Sequence, residues 1–248
     1  MYNCCNCGNI GGHICRLHIL GKPAIDRGLP VIFMPTSFDK SESIKRQAEK
    51  IKFEEKKGYN KPYILAEFEV NDWNDALSPW PAPALGKGQR NFLGKADETL
   101  SWLLNEYIPY IEPYIEKNTG FPLGAKGLLG YSMGGLFAIW AMCNTDQFIA
   151  YGSCSGSLWY EGFVGYIAEN SPLSPCSVYM SLGEREEFTR NPWFRKVGDA
   201  TRSCNTIFEQ SPDVLENALE YFPGGHSGDA DNKLLRAQEW MLVTIHNA

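Results

Sequence analysis

Residues 128–142 read Leu-Leu-Gly-Tyr-Ser-Met-Gly-Gly-Leu-Phe-Ala-Ile-Trp-Ala-Met, and this stretch decides the fold. Its first residues are typical of a buried strand and its last seven of a buried helix, so a tight turn lies between them. The turn matches Gly-x-Ser-x-Gly, in which the residues around a strained serine carry almost no side chain. Gly130 and Gly134 meet that need, and Gly135 lets the helix pack closely on the sheet. A chance Gly/Ser turn is the alternative, but the flanking elements favour a nucleophile elbow with Ser132 as the nucleophile.

Outside this turn, strand-like apolar runs alternate with helical patterns, which predicts a mostly parallel sheet covered on both faces. The predicted strands are residues 29–34, 62–70, 127–130, 148–153, 177–182 and 218–222. The predicted helices are one from Ser41, its cap, to Lys57, one that begins at Asp97 as its cap and is kinked or divided by Pro109 and Pro113, and one from Asp231 to about His246. With the elbow, this pattern predicts a single α/β-hydrolase domain over residues 1–248.

Composition excludes several classes of function. The chain has 248 residues, of which 44% are hydrophobic, and this is enough to bury the core of one such domain. Its net charge of -6 argues against a nucleic-acid partner, because phosphate binding needs a cationic face. No apolar run reaches the roughly 18–20 residues that cross a bilayer, so no membrane partner is expected. The first residues have no secretory pattern, and we expect a cytoplasmic location.

Half of the eight cysteines lie in the first fifteen positions, so residues 1–20 form a cysteine-rich segment. One interpretation of Cys4, Cys7 and Cys15 is a metal site completed by His13 or His18. Structural zinc sites usually pair two Cys-x-x-Cys motifs, and this chain has no second one. Reduced thiols are therefore the favoured interpretation, and we expect neither a metal nor another cofactor.

A serine hydroxyl needs a base that takes its proton and a carboxylate that orients the base. In this fold the chain order is serine, acid, histidine, which leaves His226 and His246 as candidates for the base. His246 lies near the C-terminus in a helical pattern and is expected at the surface. His226 follows a predicted strand in a glycine-rich loop, so it is the predicted base; a histidine that caps a helix is the alternative.

The acid should follow the strand at residues 177–182, where the sequence continues Gly-Glu-Arg-Glu-Glu. Three carboxylates are therefore available, and most glutamates in such a turn are solvated. Glu186 is the first candidate and Glu187 the second. Arg185 is expected to pair with a neighbour at the surface, where such pairs contribute little.

The oxyanion formed during acyl transfer needs two backbone N–H donors. Met133, directly after the serine, supplies the first. The second should follow the strand that ends at Met34, so Thr36 or Ser37 occupies that place. The usual glycine-rich oxyanion sequence is absent.

A loop rich in Trp, Pro and Gly spans residues 71–96 and is the expected active-site loop, because long irregular segments are often functional. Trp73 and Trp80 from this loop, with Trp159, are predicted to form an aromatic wall suited to sugar rings or aryl groups. Aromatic residues are more often part of the core, and that is the alternative. Arg90 is a candidate contact for an anionic substrate, although an exposed arginine needs no such role.

From about Gly28 to the C-terminus the chain resembles the esterase family that includes esterase D-type (S-formylglutathione hydrolase-like) and enterochelin esterase-like enzymes. The matching pieces are Gly-Tyr-Ser-Met-Gly-Gly at 130–135, Ser-Gly-Ser-Leu-Trp at 155–159, Ser-Leu-Gly-Glu-Arg-Glu at 181–186 and Pro-Gly-Gly-His at 223–226. The resemblance implies an α/β-hydrolase fold and ester hydrolysis. It places the family's acid, which follows a Gly-x-x-Asp/Glu pattern, on Glu186 rather than Glu187, and its base on His226.

Two departures from the family, and one variation within it, bear on the site. Residues 34–37 read Met-Pro-Thr-Ser where family members commonly have His-Gly. The segment before them is short and cysteine-rich, which predicts that the first strands of the sheet are missing or reduced. Some siderophore esterases of the family work with a Ser–His pair, which makes Glu186 less essential than the other two residues.

Together these patterns predict hydrolysis of a small-molecule carboxylic ester through an acyl-enzyme on Ser132. Acyl transfer to an alcohol other than water would use the same residues. A non-catalytic binding protein with a retained hydrolase fold is the alternative from another class, and the full set of serine, glutamate and histidine speaks against it. The sequence leaves self-association into a homo-oligomer open.

Overall fold

The computed structural model describes residues 2–21, 28–38, 42–47 and 62–247. The strands in these ranges are β1 Tyr2–Ile10, β2 His13–Leu20, β3 Leu29–Thr36, β4 Tyr63–Glu69, β5 Pro81–Ala82, β6 Phe92–Leu93, β7 Leu123–Tyr131, β8 Ala150–Cys154, β9 Cys176–Gly183 and β10 Val214–Phe222. The α-helices are α1 at residues 42–47, α2 Trp73–Ala76, α3 Ala96–Trp102, α4 Ile108–Thr119, α5 Met133–Ala141, α6 Phe163–Glu169, α7 Val197–Gln210 and α8 Ala230–Asn247. The predicted cap at Ser41 and the part of that helix from 48 to 57 lie outside the described residues.

Eight strands form one sheet in the order β1-β2-β4-β3-β7-β8-β9-β10. Within this sheet β2 is antiparallel to both of its neighbours, and the pairs β4-β3, β3-β7, β7-β8, β8-β9 and β9-β10 are all parallel. β5 and β6 form a separate antiparallel pair. The eight-stranded sheet is the mostly parallel sheet of the α/β-hydrolase fold, so the predicted fold class is confirmed. The carboxyl ends of β3, β7, β9 and β10 meet at one edge of the sheet, where α/β proteins of this kind bind ligands.

Helices cover both faces of the sheet, because the central strands are apolar on both sides. In β3, Val31 and Phe33 belong to one buried cluster and Ile32 and Met34 to the other, as the two-residue period of a strand requires. The first cluster includes residues of α3, α4, α5, α6 and α7, and the second includes residues of α8. Within the described ranges, no helix combines the length and the apolar character that crossing a bilayer requires.

The cysteine-rich N-terminal segment forms the first two strands of the sheet, so the expectation that these strands are missing or reduced is wrong. β1 and β2 pair as an antiparallel hairpin, and β2 pairs in turn with β4. Cys15 and Leu17 are buried on one face of β2, so at least one of the cysteines acts as a small apolar core residue. In the part of the chain with described coordinates, no group of three His, Cys, Asp or Glu side chains could hold a metal ion.

The helix before β7 begins earlier than predicted and is not divided at its prolines, whereas a kink at Pro109 and Pro113 stays a prediction. It begins at Ala96 with Lys95 at the cap position, so Asp97 lies inside the first turn, where a carboxylate favours the positive end of the helix dipole. Pro109 and Pro113 do not divide the helix: α3 continues through a π-helical turn, Leu103–Tyr107, into α4. The π turn ends at Tyr107, two residues before Pro109, so the irregular hydrogen bonding of the helix lies next to the proline that has no N–H to donate.

Candidate active site

The turn between β7 and α5 places Ser132 on strained backbone. Ser132 has a φ of 58° and a ψ of -119°, a conformation that residues with a side chain rarely adopt. A Cβ atom at Gly130 would lie 2.0 Å from the carbonyl carbon and oxygen of Gly134. A Cβ at Gly134 would lie 3.2 Å from Pro35 and 3.3 Å from the ring of Trp73. The close approach of the strand and the helix is therefore available only to glycine at position 130.

Gly130→Ala is expected to lower turnover by about 10²-fold or more, because relieving the overlap with Gly134 shifts the serine, and a displacement of about 1 Å costs that much. We also expect the free energy of unfolding to fall by about 1–3 kcal/mol, the usual cost of overpacking. Gly165→Ala is the matched control, because Gly165 lies in α6 with open space around its added Cβ. Measured turnover and urea unfolding that change equally little in both variants would contradict this view of the turn.

A continuous series of hydrogen-bond distances joins Ser132 to His226 and Glu186. Ser132 Oγ lies 3.1 Å from His226 Nε2, and His226 Nδ1 lies 3.0 Å from Glu186 Oε2. A carboxylate only accepts hydrogen bonds, so Nδ1 carries the proton and Nε2 is left to accept from the serine hydroxyl. The histidine side chain is 49% exposed, whereas the glutamate side chain is 2% exposed. A substrate can therefore reach Ser132 and His226 while the carboxylate stays buried behind them.

The two oxygens of Glu186 have separate partners. Oε1 accepts from the Gly183 N–H at 2.7 Å, from Ser155 Oγ at 2.5 Å and from Lys233 Nζ at 3.0 Å, and Oε2 faces His226. Burial raises the pKa of this carboxyl, but the hydrogen bonds from His226 and from the donors on Oε1 outweigh burial and lower the pKa from its ordinary value of 4.5 to about 2. Glu186 is therefore a buried carboxylate that stays ionised far into the acidic range.

The depressed pKa of Glu186 predicts an acid-dependent loss of stability. The folded state binds its proton less readily than the unfolded chain, so this contribution is complete above about pH 4.5 and is lost as the pH falls toward 2. It corresponds to about 3 kcal/mol. We expect the difference in unfolding free energy between wild type and Glu186→Gln to shrink by an amount of this order between pH 5 and pH 2, measured by urea titration.

The cost of leaving Lys233 beside a neutral amide in Glu186→Gln does not depend on the protonation of a carboxyl, so it cancels when the difference is compared between two pH values. A difference between the two proteins that does not change with pH would contradict the assigned interactions of Glu186.

The other carboxylates of this turn lie elsewhere. Glu187 forms a two-point pair with Arg202, with contacts of 3.2 Å and 2.7 Å, and Glu184 is exposed. The sequence offered Glu187 as the second candidate for the acid, and the structure places only Glu186 against His226. The two side chains point apart because they are consecutive residues of a turn.

The predicted oxyanion donors lie around Ser132. Met133 is the first residue of α5, so its N–H has no carbonyl partner within the helix. Thr36 and Ser37 line the same cavity as Ser132. Thr36 is fixed, since its hydroxyl donates to Glu67 Oε1 at 3.0 Å and its carbonyl accepts from the Val70 N–H at 2.8 Å. Ser37, directly after β3, is exposed.

A cavity of about 280 Å³ adjoins Ser132. Trp73, Met34 and Leu234 give it apolar walls, with Pro35 and Ile44. Such a cavity can hold the acyl part of an ester while the carbonyl carbon lies at the serine.

The three predicted tryptophans do not line this cavity together, so the expected single aromatic wall is not formed there: only Trp73 lies in it. Trp80 donates from its indole N–H to the Glu161 carbonyl at 3.0 Å and packs among the rings of α6. Trp159 packs against Phe194 at 5.2 Å between ring centroids. Substrate contacts by Trp80 and Trp159 stay predictions.

Arg90 lies outside this cavity as well. It is 83% exposed, and its guanidinium lies 3.7 Å from the carboxylate of Asp72, which is also exposed. An exposed pair of this kind contributes little to stability. A contact between Arg90 and an anionic substrate stays a prediction.

Four residues at the site were not singled out from the sequence as parts of it. The Tyr131 hydroxyl donates to the His226 carbonyl, and Ser157 Oγ lies 3.4 Å from Ser132 Oγ. Ser155 and Lys233 contact Glu186. Ser155 and Ser157 lie in the Ser-Gly-Ser motif quoted above, which is a signal that could have found them. Nothing in the sequence distinguishes Lys233 from the many lysines on helices.

Comparison with known proteins identifies one relative by sequence. No family model matches the chain. The chain is 30% identical over 184 residues to the uncharacterized protein YbbA of Bacillus subtilis (strain 168), a match that covers 72% of each protein.

Solved structures share the fold at low sequence identity. The siderophore hydrolase EstB from Aspergillus nidulans superimposes with a TM-score of 0.71 at 16% identity, over 97% of this chain and 93% of that one. An IroE-like serine hydrolase from Shewanella oneidensis gives 0.72 at 15% identity, over 97% and 80%. The enterobactin esterase FES from Shigella flexneri, solved in the presence of enterobactin, gives 0.63 at 16% identity, over 92% of this chain and 55% of that one. At these identities the likeness shows the common fold.

Proposed function

This chain belongs to the same protein family as YbbA of Bacillus subtilis, and we propose that it is a serine hydrolase that cleaves carboxylic esters through an acyl-enzyme on Ser132. The observation that carries the proposal is the hydrogen-bonded series from Ser132 Oγ through His226 to the buried carboxylate of Glu186. A serine on strained backbone at the start of a helix, next to a histidine held by a carboxylate, is the arrangement that acyl transfer requires.

In the first step, His226 Nε2 takes the proton from Ser132 Oγ while that oxygen attacks the ester carbonyl carbon. The carbonyl oxygen becomes an oxyanion and accepts hydrogen bonds from the Met133 N–H and from the N–H of Thr36 or Ser37. Nε2 then gives its proton to the oxygen of the leaving alcohol as the carbon–oxygen bond breaks. The general base contributes roughly 10²–10⁴-fold and an oxyanion donor roughly 10²–10³-fold to the rate.

In the second step, water takes the place of the alcohol. His226 removes a proton from the water as it attacks the acyl-enzyme, and the same oxyanion donors stabilise the second tetrahedral intermediate. The proton then returns from Nε2 to Ser132 Oγ, which releases the carboxylic acid. Throughout, Glu186 stays ionised and stabilises the imidazolium; its lowered pKa, about 2, fits that role.

The substrate proposed is a small-molecule ester. The cavity beside Ser132, about 280 Å³ with apolar walls, is large enough for a short acyl chain or a single ring. Siderophore hydrolases and enterobactin esterases share the fold, so enterobactin belongs in a panel of natural esters. The expected cytoplasmic location stays a prediction.

The test is hydrolysis of p-nitrophenyl acetate and p-nitrophenyl butyrate by the wild type and by Ser132→Ala, run side by side. Turnover in the wild type that vanishes in the variant, together with labelling of the Ser132 peptide by a fluorophosphonate probe, would support the proposal. Equal background rates from both proteins and no labelling would contradict it and favour a binding protein that retains the fold.

A further inference from the structure

Lys233 is a buried cation behind the proposed catalytic residues. It lies in the first turn of α8, and its side chain is 0% exposed. Both features are unfavourable: burying a charge costs several kcal/mol, and a cation near a helix N-terminus opposes the helix dipole. A methionine would fill nearly the same space without either cost. The position therefore needs a reason for its charge.

The contacts of the ammonium group supply that reason. Lys233 Nζ donates to Ser155 Oγ at 2.8 Å and to Glu186 Oε1 at 3.0 Å. It also lies 3.3 Å from the Gly225 carbonyl and 3.4 Å from the His226 carbonyl. The four acceptors come from three separate segments: the end of β8, the turn after β9 and the loop after β10. One side chain thus ties together the carboxylate and the loop that carries the histidine.

The two oxygens of Glu186 have different partners, so the contact with Lys233 affects which oxygen faces His226. Oε1 takes the donors from Ser155, Gly183 and Lys233, so Oε2 is the oxygen left for His226. Without Lys233 Nζ, Oε1 loses its charged donor and keeps only the Ser155 hydroxyl and the Gly183 N–H, so the carboxylate is held less firmly. The loop at 225–226 loses two of its hydrogen bonds at the same time.

We propose that Lys233 is a positioning residue, which holds Glu186 Oε2 and the His226 loop in the geometry that keeps the imidazole proton on Nδ1. This inference rests on the proposed function, since it assigns Lys233 a task in the same reaction. Lys233 does not touch the reacting atoms. Its effect passes through Glu186 to His226, and so it acts on turnover rather than on substrate binding.

The experiment uses Lys233→Met, which keeps the length of the side chain, and Lys233→Gln, which keeps hydrogen-bond donors without the charge. Lys117→Met, an exposed lysine of α4, is the matched control. For Lys233→Met we expect kcat on p-nitrophenyl butyrate to fall about 10–100-fold while KM changes by less than about threefold. Lys233→Gln should lie between that variant and the wild type, and Lys117→Met should match the wild type.

A second measurement does not depend on turnover. Long-range ¹H–¹⁵N NMR of the ring, assigned with His226→Ala, reports which nitrogen of the neutral His226 imidazole carries the proton. We expect the Nδ1–H tautomer in the wild type and a mixture with the Nε2–H tautomer in Lys233→Met. The NMR measurement tests the positioning role even if the wild type hydrolyses none of the esters. The absence of hydrolysis would count against the proposed function alone.

The positioning role would be overturned by a folded Lys233→Met that keeps kcat within about threefold and the wild-type tautomer. A rise of about 10–100-fold in KM with an unchanged kcat would also overturn it. Failure of both Lys233 variants to fold would assign the residue to stability and equally end the proposal.

Discussion

Ser132→Ala is expected to lower kcat/KM for p-nitrophenyl butyrate by about 10³-fold or more, because no other group in the proposed mechanism can form the acyl-enzyme. Stability should change by less than about 1 kcal/mol, since the variant removes one hydroxyl at the cavity. Alanine also keeps the Cβ that lies on strained backbone, with a φ of 58°. Initial rates and urea unfolding of the two proteins measure both quantities.

Ser203→Ala is the control for a serine removed elsewhere, because Ser203 is an exposed residue of α7. It should keep the full rate. Ser157→Ala separates the contribution of the neighbouring hydroxyl from that of the nucleophile. Ser157 Oγ lies 3.4 Å from Ser132 Oγ, and the structure shows no hydrogen bond between Ser157 and His226. A Ser132→Ala protein that retains more than about a tenth of the wild-type rate would mean that hydrolysis takes place without this serine.

His226→Ala is expected to cause a loss similar to that of Ser132→Ala, because a serine hydroxyl without its base is a poor nucleophile. Residues that act as one unit do not contribute additively. The double variant, lacking both Ser132 and His226, should therefore be about as slow as either single variant. Steady-state rates of the three proteins on p-nitrophenyl butyrate test this, with the uncatalysed rate subtracted.

His246→Ala is the matched histidine control. His246 lies near the end of α8, about 20 Å along the helix from the residues of α8 that line the cavity. Its loss should leave kcat/KM per folded protein within about twofold. A double variant that is slower than the single variants by the product of their effects would show that Ser132 and His226 act independently, which the proposed mechanism does not allow.

The features that could be predicted from the sequence are local ones. Gly130 and Gly134 are four residues apart, and the overlap that a side chain would cause there depends on one turn of the chain. The inner parallel strands β3, β4, β8 and β9 were predictable for a similar reason, because each is a short run of residues that is buried on both faces. The N-terminal hairpin escaped prediction because polar residues and cysteines interrupt its apolar residues and because its edge strand, β1, is largely exposed. Its stability depends on pairing with β4, which is distant in the chain.

By itself, then, the sequence determined the fold class, the strand–turn–helix around Ser132 and the order in which the serine, the acid and the histidine follow one another. The sequence preferred Glu186 but left Glu187 open, and the tertiary structure decided that Glu186 faces His226. Only the tertiary structure decided that Trp73 alone of the three tryptophans lines the cavity and that Lys233 contacts the carboxylate. The physical reason is the separation of the partners. His226 is 94 residues from Ser132 and 40 from Glu186, and Lys233 is 47 from Glu186. Periodicity describes neighbours within a turn or a strand, whereas these contacts depend on how separate strand ends align at one edge of the sheet.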